Sequence, residues 1–354
     1  MALRSRAAVG VNGFGTIGRR VAWAASQQRD MEVVGVVKTK PDYAAMQAAS
    51  AGLPLYVPGE REAEAFRRAG LEVRGALRDL LKEVDVIVDA TPDGVGATYA
   101  KAYSEAGVRA IFQGGEEASV AKVSFSALCN YDEAVGKESV RVVSCNTTGL
   151  LRSICALNSA IGVKSVNAFL VRRAADLQEV KRGPVNAIVL NPARVPSHHA
   201  GDVRSVLPWL EISTAAVVVP TTLMHVHYVN VRLRGAATRE EVIEALRASP
   251  RVLVVSSSRS GVESTAQLID AARHVRPRGD IPELVVFEES VSVRGEEASF
   301  IQAVHQESIV VPENVDAIRA SLGMADAEES VRATNEALGI GRLPGLAGSP
   351  SAKG

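Results

Sequence analysis

The chain has 354 residues, 47% hydrophobic and 23% charged, which are the proportions of a soluble globular protein. That length exceeds what one hydrophobic core commonly spans, so two domains are expected. Lys plus Arg and Asp plus Glu each number 40, which argues against a duplex nucleic-acid binder with its basic domain, and no uncharged apolar run approaches the roughly 18 residues of a membrane span. The opening MALRSR lacks the apolar stretch of a secretory signal, so a cytoplasmic protein is expected. Cys129, Cys145 and Cys155 form an odd, sparse set without CxxC or CxxH spacing. They are read as free thiols in a reducing compartment, with no metal site.

Ala7–Val11 is a short apolar run read as a strand, and Thr16–Gln27 is a helix with Ile17, Val21, Ala24 and Ala25 on one face. Met31–Val37 is a second buried strand. Helix at Tyr43–Ala51, strand at Leu53–Val57, and helices at Glu60–Ala69 and Ala76–Lys82 follow. Val84–Ala90 is another core strand, then come a helix at Val95–Glu105 and a strand at Val108–Phe112. Strands alternating with helices at this spacing predict a parallel, doubly wound α/β sheet. After Ser139–Ser144 the texture changes. A helix over Thr148–Ile161 leads into Val- and Thr-rich segments at Ser165–Arg172, Val185–Leu190, Ala215–Pro220 and Met224–Leu233. Only Arg239–Ala248 and Thr265–His274 read as helices among them, so an α+β domain with a mostly antiparallel sheet is expected. Two amphipathic helices, Glu313–Leu322 and Ala327–Leu338, close the chain before a Gly/Ser/Pro-rich tail read as disordered.

Gly13, Gly15 and Gly18 form GxGxxG between the first strand and the first helix. Alone the motif is weak, but this context is the one that binds a dinucleotide. Gly13 permits the tight turn, Gly15 lets backbone approach the pyrophosphate, and Gly18 lets helix and sheet pack closely. The amides of Thr16 and Ile17 open the helix, where the dipole favours phosphate. After the second strand, where an NAD-selective site places an acid, the chain reads Lys38-Thr39-Lys40. Two cations and a hydroxyl suit a ribose 2′-phosphate, so NADP is expected to serve at least as well as NAD.

Ser144-Cys145-Asn146-Thr147 lies where a strand ends and a helix begins, with Asn146 or Thr147 as candidate cap. A thiolate there is stabilised by the positive helix end, which marks Cys145 as a candidate nucleophile, whereas Cys155 and Cys129 read as structural. A nucleophilic Cys needs a base. His225 and His227 lie two apart on a β segment and face the same way, so spacing does not choose between them. His198 and His199 sit in a loop reading PSHHAGD. Arg172, Arg173, Lys181 and Arg182 are basic candidates for anion pockets.

VGVNGFGTIGRRVA, FQGGE, VVSCNTTGL, RRAAD, KRGPVNAI, PTTLMHVH and HQESIVVPENVDAIRA together resemble the archaeal (class II) glyceraldehyde-3-phosphate dehydrogenases over about residues 7 to 340. The resemblance implies Cys145 as nucleophile and His225 as base. It implies cofactor contacts at Thr16, Ile17, Gly115, Arg173 and Gln306, and substrate contacts at Ser144, Asn146, His198 and His199. It further implies reversible phosphorylating oxidation of glyceraldehyde 3-phosphate with inorganic phosphate, in glycolysis or gluconeogenesis, by a homotetramer. One departure is His198-His199-Ala200-Gly201-Asp202 where the family often reads SHHGPD. The expected division is 1–144 with 306–340 as the NAD(P)-binding domain, 145–305 as the catalytic domain, and 341–354 as a disordered tail. The alternatives are a related semialdehyde or erythrose 4-phosphate dehydrogenase, and a non-catalytic NADP sensor.

Overall fold

Val36 and Val37 are neighbours in sequence and both buried, yet each belongs to a different apolar cluster. A strand does this when both faces of its sheet are covered, because successive side chains point to opposite sides. The computed structural model describes residues 6–113, 115–175, 184 and 186–346. They divide into two units: Met1–Ser144 with Val310–Leu338, and Cys145–Ile309 with Gly339–Gly354.

In the first unit eight strands pair in parallel. Their order is Gly75–Ala76, Leu55–Val57, Met31–Val37, Ala7–Asn12, Val86–Asp89, Arg109–Gln113, Ser139–Val142 and Val123–Phe125. Ala7–Asn12 is buried along its whole length, as a central parallel strand should be. Helix Thr16–Ser26 buries Val21, Ala22, Ala24 and Ala25. The closing helices Val311–Leu322 and Ala327–Leu338 return to this unit, where Arg319 donates to both Asp30 oxygens at 2.8 and 2.9 Å and to Thr334 Oγ1 at 2.7 Å.

The second unit carries a mixed, mostly antiparallel sheet. Its order is Val189–Leu190, Glu211–Val219, Val163–Arg173, His225–Leu233, Glu297–Val304, Leu284–Phe287 and Val252–Val255. Two of these pairings are parallel, Glu211–Val219 with Val163–Arg173 and Val252–Val255 with Leu284–Phe287. Helix Cys145–Ala160 packs on this sheet. Its fully buried Arg152 donates to the carbonyl oxygens of Pro282 and Ile309, which ties the helix in place. On the strands, Phe169, Tyr228 and Ile301 lie side by side in register and are 42%, 48% and 38% exposed, so they make an uncovered apolar row.

Three expectations change. The parallel and antiparallel division of strands is as read, but Val252–Val255, Leu284–Phe287 and Glu297–Val304 add strands that the sequence reading passed over. Among the described residues of the segment read as a strand over 185–190, only Val189–Leu190 forms one. Of the tail read as disordered, Leu343 and Leu346 are buried in the second unit's core, because two leucines three apart suffice to anchor an otherwise Gly-rich stretch; 347–354 lie outside the described residues. Among the described residues no helix is long and apolar enough to cross a membrane.

Candidate active site

Strand pairing brings three strands of the second unit together at one end of its sheet. His225 opens its strand opposite Val304, and Val226 pairs with Val171 beside Arg172 and Arg173. Met224, just before, is buried with φ +62, a left-handed conformation that costs a residue with a Cβ about 1 kcal/mol or more. Cys145 is the first residue of its helix and half-buried. Its Sγ lies 3.6 Å from His225 Nε2 and 3.9 Å from Asn146 Nδ2.

The backbone N–H of Arg173 donates to His225 Nδ1 at 3.0 Å. With that nitrogen accepting, the neutral ring carries its proton on Nε2, aimed at the sulfur. Burial, then His227, Arg172 and Arg173, hold the His225 pKa well below the ordinary 6.5. His227 is also buried. Its Nε2 lies 2.9 Å from Asn146 Oδ1 and its Nδ1 3.1 Å from Gln302 Nε2, and burial followed by Arg172 lowers it to about 3. The structure thus separates two histidines that spacing left equal: His225 faces the sulfur and His227 stands behind Asn146.

Arg172 Nη1 donates to Asn191 Oδ1, while its buried Nε has no partner among the described residues. Its pKa is lowered by burial, with the nearby Cys145 opposing and Arg173 adding. A half-buried guanidinium whose buried Nε lacks a partner among the described residues is suited to an anion. His198 and His199 open a helix, His198–Arg204, where a loop was expected. Their ring centroids are 3.9 Å apart, and Ser197 Oγ lies 3.1 Å from His199 Nδ1. Burial, then His198, Arg172 and His227, push His199 down to about 2. A neutral His199 offers a hydrogen bond, not a charge. Gln306 Nε2 donates to the Thr222 carbonyl oxygen at 3.4 Å, and its buried Oε1 has no partner among the described residues.

These depressed histidines couple to stability. The unfolded chain takes up protons below pH 6.5 that the folded rings refuse, so the stability they contribute is complete above 6.5. It is lost as pH falls below that value, for His227 down to about 3, and His225 and His199 act in the same direction. Thermal unfolding followed from pH 7 to 4 should show Tm falling steeply, and a flat Tm would contradict the buried neutral assignment.

The remaining candidates lie in the first unit. Gly13 has φ +94, and a Cβ there would sit 2.6 Å from the Ala90 carbonyl carbon; one on Gly18 would sit 2.0 Å from Gly13 O. Both positions therefore demand glycine. A Cβ on Gly15 would meet nothing within 4 Å, and Gly15 is the N-cap of helix Thr16–Ser26. The turn so leaves open space before a helix start that glycine cannot cap by a side chain, which is the shape a phosphate requires. Lys38, Thr39 and Lys40 follow the second strand, and Lys38 Nζ is already paired with Asp42 at 2.8 Å. Gly115 approaches the Asp93 side chain. Ser144 is half-buried at the end of the first unit.

Other readings are corrected. Cys129 and Cys155 are disulfide-bonded, so Cys145 alone of the three stands outside a disulfide. Asn146 and Thr147 are inside the helix, not caps: Asn146 Oδ1 faces His227, and Thr147 Oγ1 donates to Asp202 at 2.7 Å. Lys181 and Arg182 lie outside the described residues. Sequence reasoning missed Gln302, Asn191 and Asp202. A polar residue at an inward position of an alternating strand was the available signal for Gln302.

Residues 144–273 match the family described as glyceraldehyde 3-phosphate dehydrogenase, C-terminal domain, and residues 7–123 match that described as dihydrodipicolinate reductase, N-terminus. The chain is 60% identical to the glyceraldehyde-3-phosphate dehydrogenase of Aeropyrum pernix, over 94% of this chain and 97% of that one. It is 58% identical to that of Metallosphaera sedula, over 94% and 98%. A crystal structure of aspartate semialdehyde dehydrogenase II from Vibrio cholerae shares the fold, with TM-score 0.66 and 13% identity over 89% of this chain and 98% of that one. With near-complete coverage at such identity, this chain belongs to the glyceraldehyde-3-phosphate dehydrogenase family, in its archaeal type.

Proposed function

We propose that the chain catalyses reversible, phosphorylating, NAD(P)-dependent oxidation of D-glyceraldehyde 3-phosphate to 1,3-bisphosphoglycerate through a thioester on Cys145. The observation that carries this reading is a half-buried Cys145 Sγ 3.6 Å from Nε2 of a buried neutral histidine.

The Cys145 thiolate attacks the aldehyde carbon, a C–S bond forms, and the carbonyl π pair moves to oxygen. His225 Nε2–H and the Asn146 amide donate to that oxygen. A nicotinamide dinucleotide, when bound, supplies the hydride acceptor. Departure of hydride re-forms C=O and leaves a thioester on Cys145. Inorganic phosphate then attacks the thioester carbon, the Cys145 thiolate leaves, and the proton of hydrogen phosphate is released with the acyl phosphate. The resemblance gave His225 as base. With Arg173 N–H donating to Nδ1, a donor role is better supported, because a base needs the other tautomer, whose Nδ1–H would oppose that amide. Arg172, His198, His199, Ser144 and Asn146 are the proposed substrate and phosphate contacts.

Gly13, Gly15, Thr16, Ile17, Gly18 and Gly115 are proposed to hold the dinucleotide, with Arg173 and Gln306 as further contacts. Lys38, Thr39 and Lys40 are proposed to accept NADP at least as well as NAD. Since Lys38 is paired with Asp42, its gain is tempered: Lys38→Ala should raise the KM for NADP by about three- to tenfold and leave NAD nearly unchanged. Equal effects on both cofactors would remove the 2′-phosphate assignment. The uncovered row of Phe169, Tyr228 and Ile301 supports a homo-oligomer, proposed as a tetramer in the cytoplasm; light scattering that returns a monomer would exclude it. Steady-state reduction of NADP or NAD by glyceraldehyde 3-phosphate, with and without phosphate, tests the function directly, and turnover indifferent to phosphate would reject the phosphorylating reading.

A further inference from the structure

The chemistry above uses His225 and leaves His227 without a task. His227 is fully buried, faces the same side of its strand, and holds two hydrogen bonds. A neutral imidazole has one N–H. Gln302 Nε2, directly across the antiparallel pairing, can only donate, so His227 Nδ1 accepts. The ring proton is therefore on Nε2 and is donated to Asn146 Oδ1 at 2.9 Å. This orients the Asn146 amide: its oxygen is held by the ring, and its Nδ2 is left toward Cys145 Sγ at 3.9 Å. An amide released from the ring could turn over with almost no change in shape and present oxygen lone pairs to a thiolate. Gln302 Oε1 is buried without a partner among the described residues, so this amide gives its N–H to the ring while its own oxygen stays unsatisfied.

We propose that Gln302, His227 and Asn146 form a directional hydrogen-bond relay that keeps the Asn146 N–H aimed at the Cys145 sulfur and at the oxygen that develops beside it. Gln302 and His227 are then positioning residues, and Asn146 is the group that touches the reacting atoms. The inference rests on the reading of Cys145 as nucleophile.

The test combines three readouts on Gln302→Met, Asn146→Ala and the double variant. Nitrogen-15 spectra of the histidines should show His227 as the Nε2–H tautomer in the parent and a mixture in Gln302→Met. The pH midpoint for iodoacetamide alkylation of Cys145 should rise by about one unit in Gln302→Met, as loss of a hydrogen bond to the charged form dictates. The kcat should fall about ten- to a hundredfold, with KM for the aldehyde within about threefold. The double variant should be no slower than Asn146→Ala, because linked residues are not additive. Losses that multiply in the double variant, or an unchanged alkylation profile in Gln302→Met, would overturn the relay. Should Gln302→Met fail to fold, the parent spectrum decides alone, since an Nδ1–H tautomer at His227 reverses the direction. Alkylation of the parent at a site other than Cys145 would instead defeat the nucleophile reading, independently of Gln302.

Discussion

Cys145→Ala should abolish glyceraldehyde 3-phosphate-dependent reduction of the dinucleotide, by about four to six orders of magnitude in kcat, which is typical for removing the nucleophile of a covalent mechanism. The loss should be chemical and not structural. Cys145 is half-buried at the start of its helix, and Ala is the residue that helices tolerate best. The glycines proposed to hold the dinucleotide lie in the other unit of the chain, so cofactor affinity should survive. Steady-state absorbance assays, with Tm and cofactor titration as controls, read all three quantities. Turnover within a factor of ten of the parent would remove Cys145 from the chemistry.

His225→Asn should lower kcat by about two to four orders of magnitude. The shorter amide cannot keep both the Arg173 N–H and the 3.6 Å approach to Sγ. The thiolate and the later oxyanion therefore lose the same donor, and alkylation of Cys145 should slow together with turnover. The donor role also predicts the pH profile of the parent. Because burial keeps this ring neutral well below its ordinary value of 6.5, kcat should show no limb near that pH that depends on His225. A limb there that disappears in His225→Asn would restore the role of a titrating base. A larger loss in His227→Asn than in His225→Asn would reverse the two histidines.

Local signals made much of this legible. An apolar strand, three glycines at fixed spacing and an amphipathic helix specify the turn at Gly13–Gly18, because each feature acts within a few residues of its neighbours. The position of Cys145 between a strand and a helix was readable for the same reason. The choice between His225 and His227 was not, because a period of two puts both on one face. What distinguishes the two rings is the distant partners that the register delivers, Arg173 to one and Gln302 to the other. Gln302 itself looked like one more strand residue until pairing set it across from His227. The disulfide state of Cys129 and Cys155 was not legible, because isolated cysteines without CxxC spacing carry no local sign of oxidation. Short apolar runs such as Val252–Val255 and Leu284–Phe287 became strands through their mutual pairing, which no window of sequence contains.

In the proposed mechanism the substrate is carried as a thioester on one sulfur. Rapid mixing of the protein with glyceraldehyde 3-phosphate and saturating dinucleotide, without inorganic phosphate, followed by acid quench and peptide mass spectrometry, tests it most directly. A burst of reduced dinucleotide approaching one per active site should appear, with an acyl group on the peptide containing Cys145 that is lost when phosphate is added. Reduced dinucleotide formed at full rate while that peptide stays unmodified would contradict the account.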